Sequence, residues 1–332
     1  MLRLPPFELH RPASLAEAAR ILDGEGPGAR VVSGGTDLWP GMKRGHHRSS
    51  TVVSLMSIPE LTGIENGAGM LRIGAATLLR DVAADPMVRS AQPALAAAIT
   101  EIASPAVRNM ATIGGNLCID TRCTYYDQGE MWRTAIGHCL KTTGDICWVA
   151  PGRPVCQAIS AGDTAPILCA LEATVRLVSV DGERVVPMES LYTEDGAASL
   201  TLGPGEILAE IIIDSGSQAE GRRAAFRKLR RRGSIDFAVL SVAAAVSVGD
   251  DGLVRQARIH LGAVAPRPLP ATEASASLVG RVLDEESIVE AARLARAAAA
   301  PFDNTDFRPA WRRQMVEVET AAALREVLIQ LP

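Results

Sequence analysis

The chain has 332 residues, with 34 basic and 38 acidic side chains and a formal net charge of −4, so global charge indicates neither nucleic acid nor an anionic membrane as a partner. Its longest apolar run, which begins at Phe237, is too short to span a bilayer, and the amino terminus lacks the apolar core of a signal peptide. We expect a cytoplasmic protein of about two or three domains. In that compartment the six cysteines are expected to be thiols or ligands, not disulfides.

The first segment, residues 1–57, is predicted to be a small α/β unit. Ser14 and Glu17 have the spacing of a capping box for an amphipathic helix. Two short apolar strands, ARVVS and TVVSL, follow this helix. The turn after the first strand contains Gly34 and Gly35, which suit either a tight turn with positive φ or an anion site made by backbone N–H groups.

The second segment, residues 58–220, repeats this chemistry in the stretch ATIGGN at residues 111–116. Two such turns would place hydrogen-bond donors on both sides of a bound pyrophosphate. Neither turn is a GxGxxG fingerprint, so an NAD-type Rossmann site is not predicted. A helix capped by Asp163 and a hairpin across Asp181 and Gly182 are predicted to follow.

An insert at about residues 119–160 carries four of the six cysteines. These four are Cys123, Cys139, Cys147 and Cys156. They are separated by fifteen, seven and eight residues, without the close CxxC pair that structural zinc sites usually have. An iron–sulfur cluster needs only four converging thiolates, so the residues alone leave open a metal centre or unrelated free thiols. The aromatic residues of the insert, Tyr125, Tyr126, Trp132 and Trp148, would shield a cluster or pack an unliganded loop equally well.

Other residues near the insert have simpler interpretations. Lys141 and His138 flank Cys139 and would offset the negative charge of four thiolates. Cys169 falls on the apolar face of the second segment's helix, as is typical of a buried small hydrophobe. Cys118 lies outside the four-cysteine pattern and has no assigned role.

The third segment, residues 221–332, is predicted to be a separate α+β domain with three antiparallel strands and a small helical bundle. The strands turn at residues 250–252, and helical patterns run near residues 285–300 and 311–328. The basic run at residues 227–232 suits either a solvated face or a contact with an anion or an acidic partner surface.

Taken in order, these motifs resemble the medium, flavin-carrying subunits of the molybdenum hydroxylases, the xanthine dehydrogenase and carbon monoxide dehydrogenase group. VVSGGTDLWPGMK and ATIGGNL are similar to the two FAD-binding loops of that family. GDTAPILCAL is similar to its third flavin-site segment, FRKLRRRGSIDFAV to the start of its carboxy-terminal domain, and NTDFRPAWRRQM to its final helix. The resemblance implies an α+β fold with a two-part FAD-binding region followed by a carboxy-terminal domain.

The insert DTRCTYYDQGEMWRTAIGHCLKTTGDICWVAPGRPVC resembles the cysteine loop in the flavin subunit of 4-hydroxybenzoyl-CoA reductase, where four cysteines hold a [4Fe–4S] cluster. The resemblance implies the same role here for Cys123, Cys139, Cys147 and Cys156. It further implies that electrons pass from ferredoxin through this cluster and FAD to a [2Fe–2S] small subunit and a molybdenum-cofactor large subunit. The complex would be a dimer of heterotrimers that reductively dehydroxylates an aromatic acyl-CoA.

The resemblance also implies a set of FAD-binding residues. These are Arg30, Val31, Val32, Ser33, Gly34, Gly35, Thr36, Asp37, Leu38, Ala103, Ala111, Thr112, Gly114, Gly115, Asn116, Asp163, Leu208 and Lys228. The two glycine loops would embrace the pyrophosphate and ribose, and Asp163 would bond the nucleotide. Ala103 would approach the flavin ring, Leu208 would line the pocket and Lys228 would lie near the flavin. Ser33 and Gly162 depart from the family, which usually has alanine and serine there.

Two alternatives remain open. The first is an ordinary hydroxylase medium subunit that carries electrons outward from molybdenum, with the insert a relic or a zinc site. The second is a non-catalytic scaffold stapled by zinc. The chain has no recognisable molybdenum-cofactor segment, so no catalytic residue is assigned and the substrate site is expected on a partner subunit.

Overall fold

The computed structural model describes residues 2–216 and 221–331, and its strands form three separate sheets. The segment boundary predicted at residue 220 lies outside the described residues. Among the helices of the described ranges, none combines the length and the apolar character needed to cross a membrane.

The amino-terminal sheet has three parallel strands in the order β1-β3-β2. Its elements are β1 (Glu8–His10), α1 (Leu15–Glu25), β2 (Ala29–Val32), α2 (Leu38–Lys43) and β3 (Thr51–Ser54). Ser14 caps α1 as predicted, because its hydroxyl accepts a hydrogen bond from the Glu17 N–H at 3.2 Å. The apolar face of α1 packs on β3, which leaves the loop after β2 free to line a cavity.

The central sheet has five antiparallel strands in the order β4-β5-β8-β6-β7. The strands are β4 (Ile64–Gly67), β5 (Met70–Gly74), β6 (Thr174–Ser179), β7 (Gly182–Pro187) and β8 (Ile207–Asp214). The helices are α3 (Leu79–Ala84), α4 (Pro86–Ala91), α5 (Pro93–Thr100), α6 (Pro105–Arg108), α7 (Ile113–Leu117), α8 (Glu130–Ala135) and α9 (Thr164–Ala170). The predicted hairpin of β6 and β7 is present, with Ser179 paired to Gly182.

The carboxy-terminal sheet has four antiparallel strands in the order β12-β11-β10-β9. Its elements are β9 (Arg222–Leu229), β10 (Leu240–Val248), β11 (Val254–Gly262), β12 (Leu269–Pro270), α10 (Thr272–Leu278), α11 (Glu285–Ala298) and α12 (Pro309–Gln330). The three predicted strands are the first three. The sequence missed β12 because two residues carry no periodic pattern. The three helices pack on each other and on one face of this sheet.

One hydrophobic core joins the central and carboxy-terminal sheets. Helix α9 is buried along its whole length and packs against both β10 and β11. Ala243 and Ala245 of β10 belong to the same core as the central sheet. The predicted mixed α+β fold is confirmed. Because the two sheets share a core, cavities bounded by several segments are held at fixed positions.

Candidate functional site

The first glycine loop connects β2 to α2, and its shape depends on two glycines. A Cβ at Gly34 would overlap the backbone carbonyl of Met110, and a Cβ at Gly35 would overlap the indole of Trp39. Gly35 also has a φ of 70°, in the left-handed region that favours glycine. The first loop therefore lies directly against the chain that leads into the second loop.

The second glycine loop begins α7 and is fixed by its own side chains. The Thr112 hydroxyl accepts a hydrogen bond from the Gly115 N–H at 3.1 Å, which caps this short helix. The same hydroxyl donates to the Ser33 hydroxyl of the first loop at 3.0 Å. Gly114 packs on Ala75, and an added Cβ would lie 2.7 Å from the Ala75 methyl group. The two loops are thus joined by a close backbone approach and by one hydroxyl pair.

The two loops differ in which backbone N–H groups remain available to a ligand. In the second loop, the N–H groups of Gly114 and Asn116 donate to the carbonyl oxygens of Ala75 and Thr112, and that of Gly115 is used by the cap. Within the described ranges, no protein acceptor was found for the N–H groups of the first loop at residues 34–36. The second loop therefore uses these three N–H groups in its own folding, whereas the first loop leaves N–H groups available to a ligand at residues 34–36.

The loops enclose one side of a cavity of about 600 Å³, large enough for a sizeable cofactor. All eighteen residues that the sequence predicts as FAD-binding line this cavity. They are Arg30, Val31, Val32, Ser33, Gly34, Gly35, Thr36, Asp37, Leu38, Ala103, Ala111, Thr112, Gly114, Gly115, Asn116, Asp163, Leu208 and Lys228. We call it the glycine-loop cavity. The structure brings the predicted set together from all three sheets.

Asp163 and Lys228 form a buried ion pair in the wall of this cavity, at 2.7 Å. Burial raises the pKa of the Asp163 carboxyl, and the Lys228 ammonium opposes that rise. The prediction that the Asp163 side chain caps α9 is wrong, since it makes no capping bond. The Asn116 side-chain oxygen instead accepts from the Thr164 N–H at 3.0 Å. The carboxylate is drawn away from the helix because the buried ammonium is a stronger partner than a neutral amide.

Ala103 lines the same cavity in a left-handed backbone conformation, with a φ of 44°. Its carbonyl oxygen accepts a hydrogen bond from the Ile235 N–H at 2.8 Å and another from the Ser234 hydroxyl at 3.3 Å. The loop after β9 therefore holds the Ala103 turn against the cavity. Left-handed backbone at a residue other than glycine persists when surrounding contacts fix it, and it is frequent at binding sites.

A polar network between the first glycine loop and the insert was not predicted. Arg122 forms an ion pair with Asp37, and the His47 ring nitrogen lies 3.6 Å from an Asp120 oxygen. Desolvation lowers the pKa of His47, although the Asp120 carboxylate opposes this. Of these residues only Asp37 had been assigned to the cavity. Sequence reasoning missed this network because Arg122 and Asp37 are 85 residues apart, so no local motif contains both.

The insert contains a second, much smaller cavity, which we call the cysteine cavity. Its lining includes all four cysteines of the predicted pattern. They are Cys123, Cys139, Cys147 and Cys156, each less than 9% exposed. Tyr125, Tyr126 and Trp148 form part of the wall. Four cysteines that are distant in sequence therefore line one small buried space of about 10 Å³.

A backbone amide donates to one of these sulfur atoms, that of Cys156. Burial raises the pKa of Cys123 to about 11, opposed by backbone N–H groups of Tyr125 and Tyr126. Burial raises the pKa of Cys156 to about 12, opposed first by the N–H of Ala158, which donates to the sulfur at 3.4 Å. Without a bound group these thiols remain protonated at neutral pH. Amides directed at sulfur are a feature of iron–sulfur sites, and metal binding would displace the thiol protons.

The cysteines line a cavity, but they do not converge on a position for a single metal ion. Within residues 2–216 and 221–331, no three side chains of Cys, His, Asp or Glu converge closely enough to hold one metal ion. Cys118 and Cys169 lie outside the cysteine cavity. As predicted, Cys169 is a buried apolar residue of α9, with 1% of its surface exposed, and none of the six cysteines is paired in a disulfide.

The carboxy-terminal domain clamps both ends of the insert. The Asn304 carbonyl accepts from the N–H of Thr124, next to Cys123, at 2.9 Å. The Asn304 amide donates to the carbonyl of Gln157, next to Cys156, at 2.6 Å. Asn304 is itself held by the fully buried guanidinium of Arg312 at 3.4 Å. Two cysteines of the cavity are therefore positioned by a distant segment.

The basic run at residues 227–232 is used inside the chain. Arg227 pairs with Glu319 and Glu326, and Lys228 pairs with Asp163. The next three arginines form pairs as well. These are Arg230 with Glu101, Arg231 with Asp306, and Arg232 with Asp236. The run is neither a simple solvated face nor an open anion site.

Comparison with known proteins gives two family matches. Residues 5–214 match the family described as the FAD binding domain in molybdopterin dehydrogenase. Residues 224–327 match the family described as the CO dehydrogenase flavoprotein C-terminal domain. Together the matches extend over most of the chain, and both segments bound the glycine-loop cavity.

Individual relatives match the chain over nearly all of their length. The chain is 30% identical to the carbon monoxide dehydrogenase medium chain of Afipia carboxidovorans, over 94% of this chain and 93% of that one. It is 25% identical to a putative xanthine dehydrogenase FAD-binding subunit of Escherichia coli, over 96% and 95%. A solved structure of carbon monoxide dehydrogenase from Hydrogenophaga pseudoflava superposes with a TM-score of 0.82 at 27% identity, over 99% of this chain and 100% of that chain.

Proposed function

Because the chain belongs to the FAD-binding medium subunits of the molybdopterin dehydrogenase family, we propose that it is the electron-transfer subunit of a complex like 4-hydroxybenzoyl-CoA reductase. As a family member it is an FAD-binding oxidoreductase subunit of a multi-subunit molybdenum enzyme. The finer proposal adds a [4Fe–4S] cluster held by the insert. It is carried by one observation, the convergence of four buried cysteines on the cysteine cavity.

The residues around the cysteine cavity fit such a cluster. Four cysteines line one space, so each could supply a thiolate to a cube of iron and sulfide. The Ala158 N–H, which is directed at the Cys156 sulfur, would stabilise a thiolate there. The side chains of Tyr125, Tyr126 and Trp148 would limit water access. The Cys118 and Cys169 thiols would take no part.

The residues around the glycine-loop cavity fit the proposed FAD contacts. The unbonded N–H groups at residues 34–36 would donate to the pyrophosphate. Ala103 and Lys228 would lie near the flavin ring, and Asp163, which is paired with Lys228, would bond the nucleotide. When bound, FAD exchanges electrons singly or in pairs, whereas an iron–sulfur cluster exchanges them singly. The chain would hold both cofactors in fixed positions.

The proposed partners follow from this assignment. A molybdenum-cofactor large subunit and a [2Fe–2S] small subunit would complete the chain's complex, as a dimer of heterotrimers in the cytoplasm. Ferredoxin would supply electrons at the insert. The large subunit would then remove the para hydroxyl of an aromatic acyl-CoA as water. No residue of this chain is assigned to that chemical step.

A second candidate is an ordinary dehydrogenase subunit with electrons flowing outward from molybdenum. The names of the relatives favour it, because they include carbon monoxide and xanthine dehydrogenases. Under this candidate the insert is a relic or binds zinc, and the zinc-stapled scaffold is a further variant that lacks a redox role. The reductase-like subunit, the dehydrogenase subunit and the zinc-stapled scaffold therefore differ in what the insert binds: an iron–sulfur cluster, zinc or nothing.

The insert can be tested by removing one thiol. Cys139→Ser should lose the iron of anaerobically purified protein and keep FAD, because the predicted FAD residues all line a different cavity. Cys169→Ser is the matched control, since this thiol is also buried but lies on α9, and it should keep both. Equal iron in both variants, or zinc in the wild-type insert, would sink the proposal. Loss of FAD together with iron in the Cys139 variant would contradict the separation of the two sites.

The direction of electron flow needs the assembled complex. With reduced ferredoxin and 4-hydroxybenzoyl-CoA, the purified complex should form the dehydroxylated acyl-CoA. Oxidation of a substrate with electrons delivered to an external acceptor, and no dehydroxylation, would support the dehydrogenase candidate instead. Replacing Cys139 by serine in the complex should abolish ferredoxin-driven turnover.

A further inference from the structure

Two side chains form the partition between the glycine-loop cavity and the cysteine cavity. Tyr126 and Lys141 each line both cavities. Tyr126 is 4% exposed, and the Lys141 side chain is also 4% exposed. The phenol ring and the ammonium are themselves in contact, with the Lys141 nitrogen 4.9 Å from the ring centroid. Whatever occupies either cavity would therefore lie beside the same buried cation.

Hydrogen bonds hold the Lys141 ammonium in place. It donates to an Asp120 carboxylate oxygen at 2.7 Å, to the Thr121 hydroxyl at 2.5 Å and to the Gly196 carbonyl at 2.8 Å. An ammonium has three donors, so all of its hydrogen-bonding capacity is used within the protein. These bonds fix the ammonium between the two cavities. It acts as a fixed charge.

Other charged groups surround the partition, and among them the Lys141 side chain lines both cavities. The Asp120 carboxylate faces Lys141 on one side and the His47 ring on the other. The Arg133 guanidinium lies 5.7 Å from the centroid of the Tyr126 ring, and it is paired with Glu130 at 2.6 Å. Of the cations Arg133 and Lys141, only Lys141 lines the two cavities.

We propose that Lys141 links the two cofactor sites electrostatically, with Asp120 acting in the opposite sense. The Lys141 charge stabilises the more negative, reduced form of a centre in the cysteine cavity, which raises its midpoint potential. On the other side it stabilises the anionic cofactor in the glycine-loop cavity. Both effects are enhanced by burial, because charges interact more strongly away from water. The cluster arm of this inference rests on the proposed function, whereas the FAD arm rests only on family membership.

The test compares two variants that break the same ion pair by removing opposite charges. Lys141→Met should lower the cluster's midpoint potential, followed by electron paramagnetic resonance in a redox titration, and should weaken FAD binding. Asp120→Asn should raise the potential and strengthen FAD binding. Lys141→Arg keeps the positive charge, so the cluster's midpoint potential and the FAD affinity should both stay close to their wild-type values. If the residues only hold the wall together, both neutral variants will move each property in the same direction.

The outcomes separate this inference from the proposed function. Opposite shifts in the two variants support the link, and shifts of the same sign or no shift overturn it. If the wild-type chain contains no cluster, the proposed function fails. The FAD affinities of the wild-type and variant apoproteins, measured by flavin fluorescence, then test the inference. Opposite changes in affinity for Lys141→Met and Asp120→Asn support it, and changes in the same direction overturn it. A Lys141→Met chain that fails to fold leaves Asp120→Asn, whose predicted gain in FAD affinity a disrupted wall cannot produce.

Discussion

The glycine-loop cavity and the cysteine cavity are built in different ways. The first is shaped by backbone, through close approaches at Gly34 and Gly114 and a cap at Thr112. The second is shaped by side chains from an irregular loop, and its ends are held by Asn304 from the carboxy-terminal domain. A backbone cavity leaves compact motifs in the sequence. A side-chain cavity depends on tertiary contacts that no local motif encodes.

The largest effect is expected from a side chain placed where the backbones of the two glycine loops pack closely. Gly34→Ala places a methyl group into the Met110 carbonyl, so the two loops must separate. Overpacking of this kind costs about 3 kcal/mol, which corresponds to roughly a hundredfold weaker FAD binding. Iron in the cysteine cavity should not change. Flavin fluorescence and iron analysis measure both properties.

Gly24→Ala provides the control for that prediction, because a Cβ at Gly24 meets no atom within 4 Å and alanine favours the helix α1. It should bind FAD as the wild type does. Equal FAD affinity in the two glycine variants would show that the loops do not depend on the Gly34 approach.

The next prediction addresses the clamp on the other cavity. Asn304→Ala leaves the buried Gln157 carbonyl without its donor and frees one end of the insert, at a cost of about 2 kcal/mol. Iron should be lost more quickly on exposure to a chelator, while FAD affinity stays unchanged. Asn66→Ala, at an exposed position, is the control. If chelator resistance is unchanged in the Asn304 variant, the clamp is not what positions the cysteines.

A smaller effect is expected from the hydroxyl that joins the glycine loops. Thr112→Val removes the cap on Gly115 and the bond to Ser33, each contributing about 1 kcal/mol or less. FAD binding should weaken roughly fivefold to tenfold, with no change in iron. Thr100→Val, which removes a hydroxyl from the end of α5, should leave FAD binding unchanged. If the Thr112 variant has wild-type FAD affinity, the Thr112 hydroxyl does not contribute to the shape of the glycine-loop cavity.

The smallest predicted effect concerns acid. Glu206 lines the glycine-loop cavity, and hydrogen bonding to Arg184 lowers the pKa of its carboxyl below the usual 4.5. The stabilisation is therefore complete above about pH 4.5 and is lost as the pH falls through the lowered folded-state pKa. Since Arg184 is well exposed, the contribution is about 1 kcal/mol at most.

Glu206→Gln should reduce the free energy of unfolding at pH 7 and flatten its dependence on pH in the acid range. Denaturant titrations at several pH values measure this. Glu65→Gln, at an exposed position of β4, provides the matched comparison and should change neither. A Glu206 variant with the wild-type acid profile would exclude this pair from the stability of the cavity.

The sequence predicted those parts that local chemistry controls. The Ser14 cap, the glycine loops and the hairpin at Gly182 each follow from residues that are close in sequence. The position of Asp163 was predicted, but its partner was not, because Lys228 lies sixty-five residues further along the chain. The Asp163 carboxylate pairs with the buried Lys228 ammonium and therefore does not cap α9. Competition of this kind between distant groups cannot be read from one stretch of sequence.

The cysteine cavity illustrates the same limit. The spacing of the four cysteines favours unrelated free thiols over a metal centre, and only resemblance to a cysteine-loop subunit suggests that the four converge. The structure brings the four into one lining, and Lys141, considered at first only as a neighbour of Cys139, lies in the partition between two cavities. This position depends on the packing of the insert against the first glycine loop.

We propose that one chain holds two different redox cofactors in separate cavities. Flavin, iron and acid-labile sulfide can be measured in the anaerobically purified wild-type chain. We expect about one FAD together with roughly four iron and four sulfide per chain. A chain that contains stoichiometric FAD and neither iron nor sulfide would contradict it.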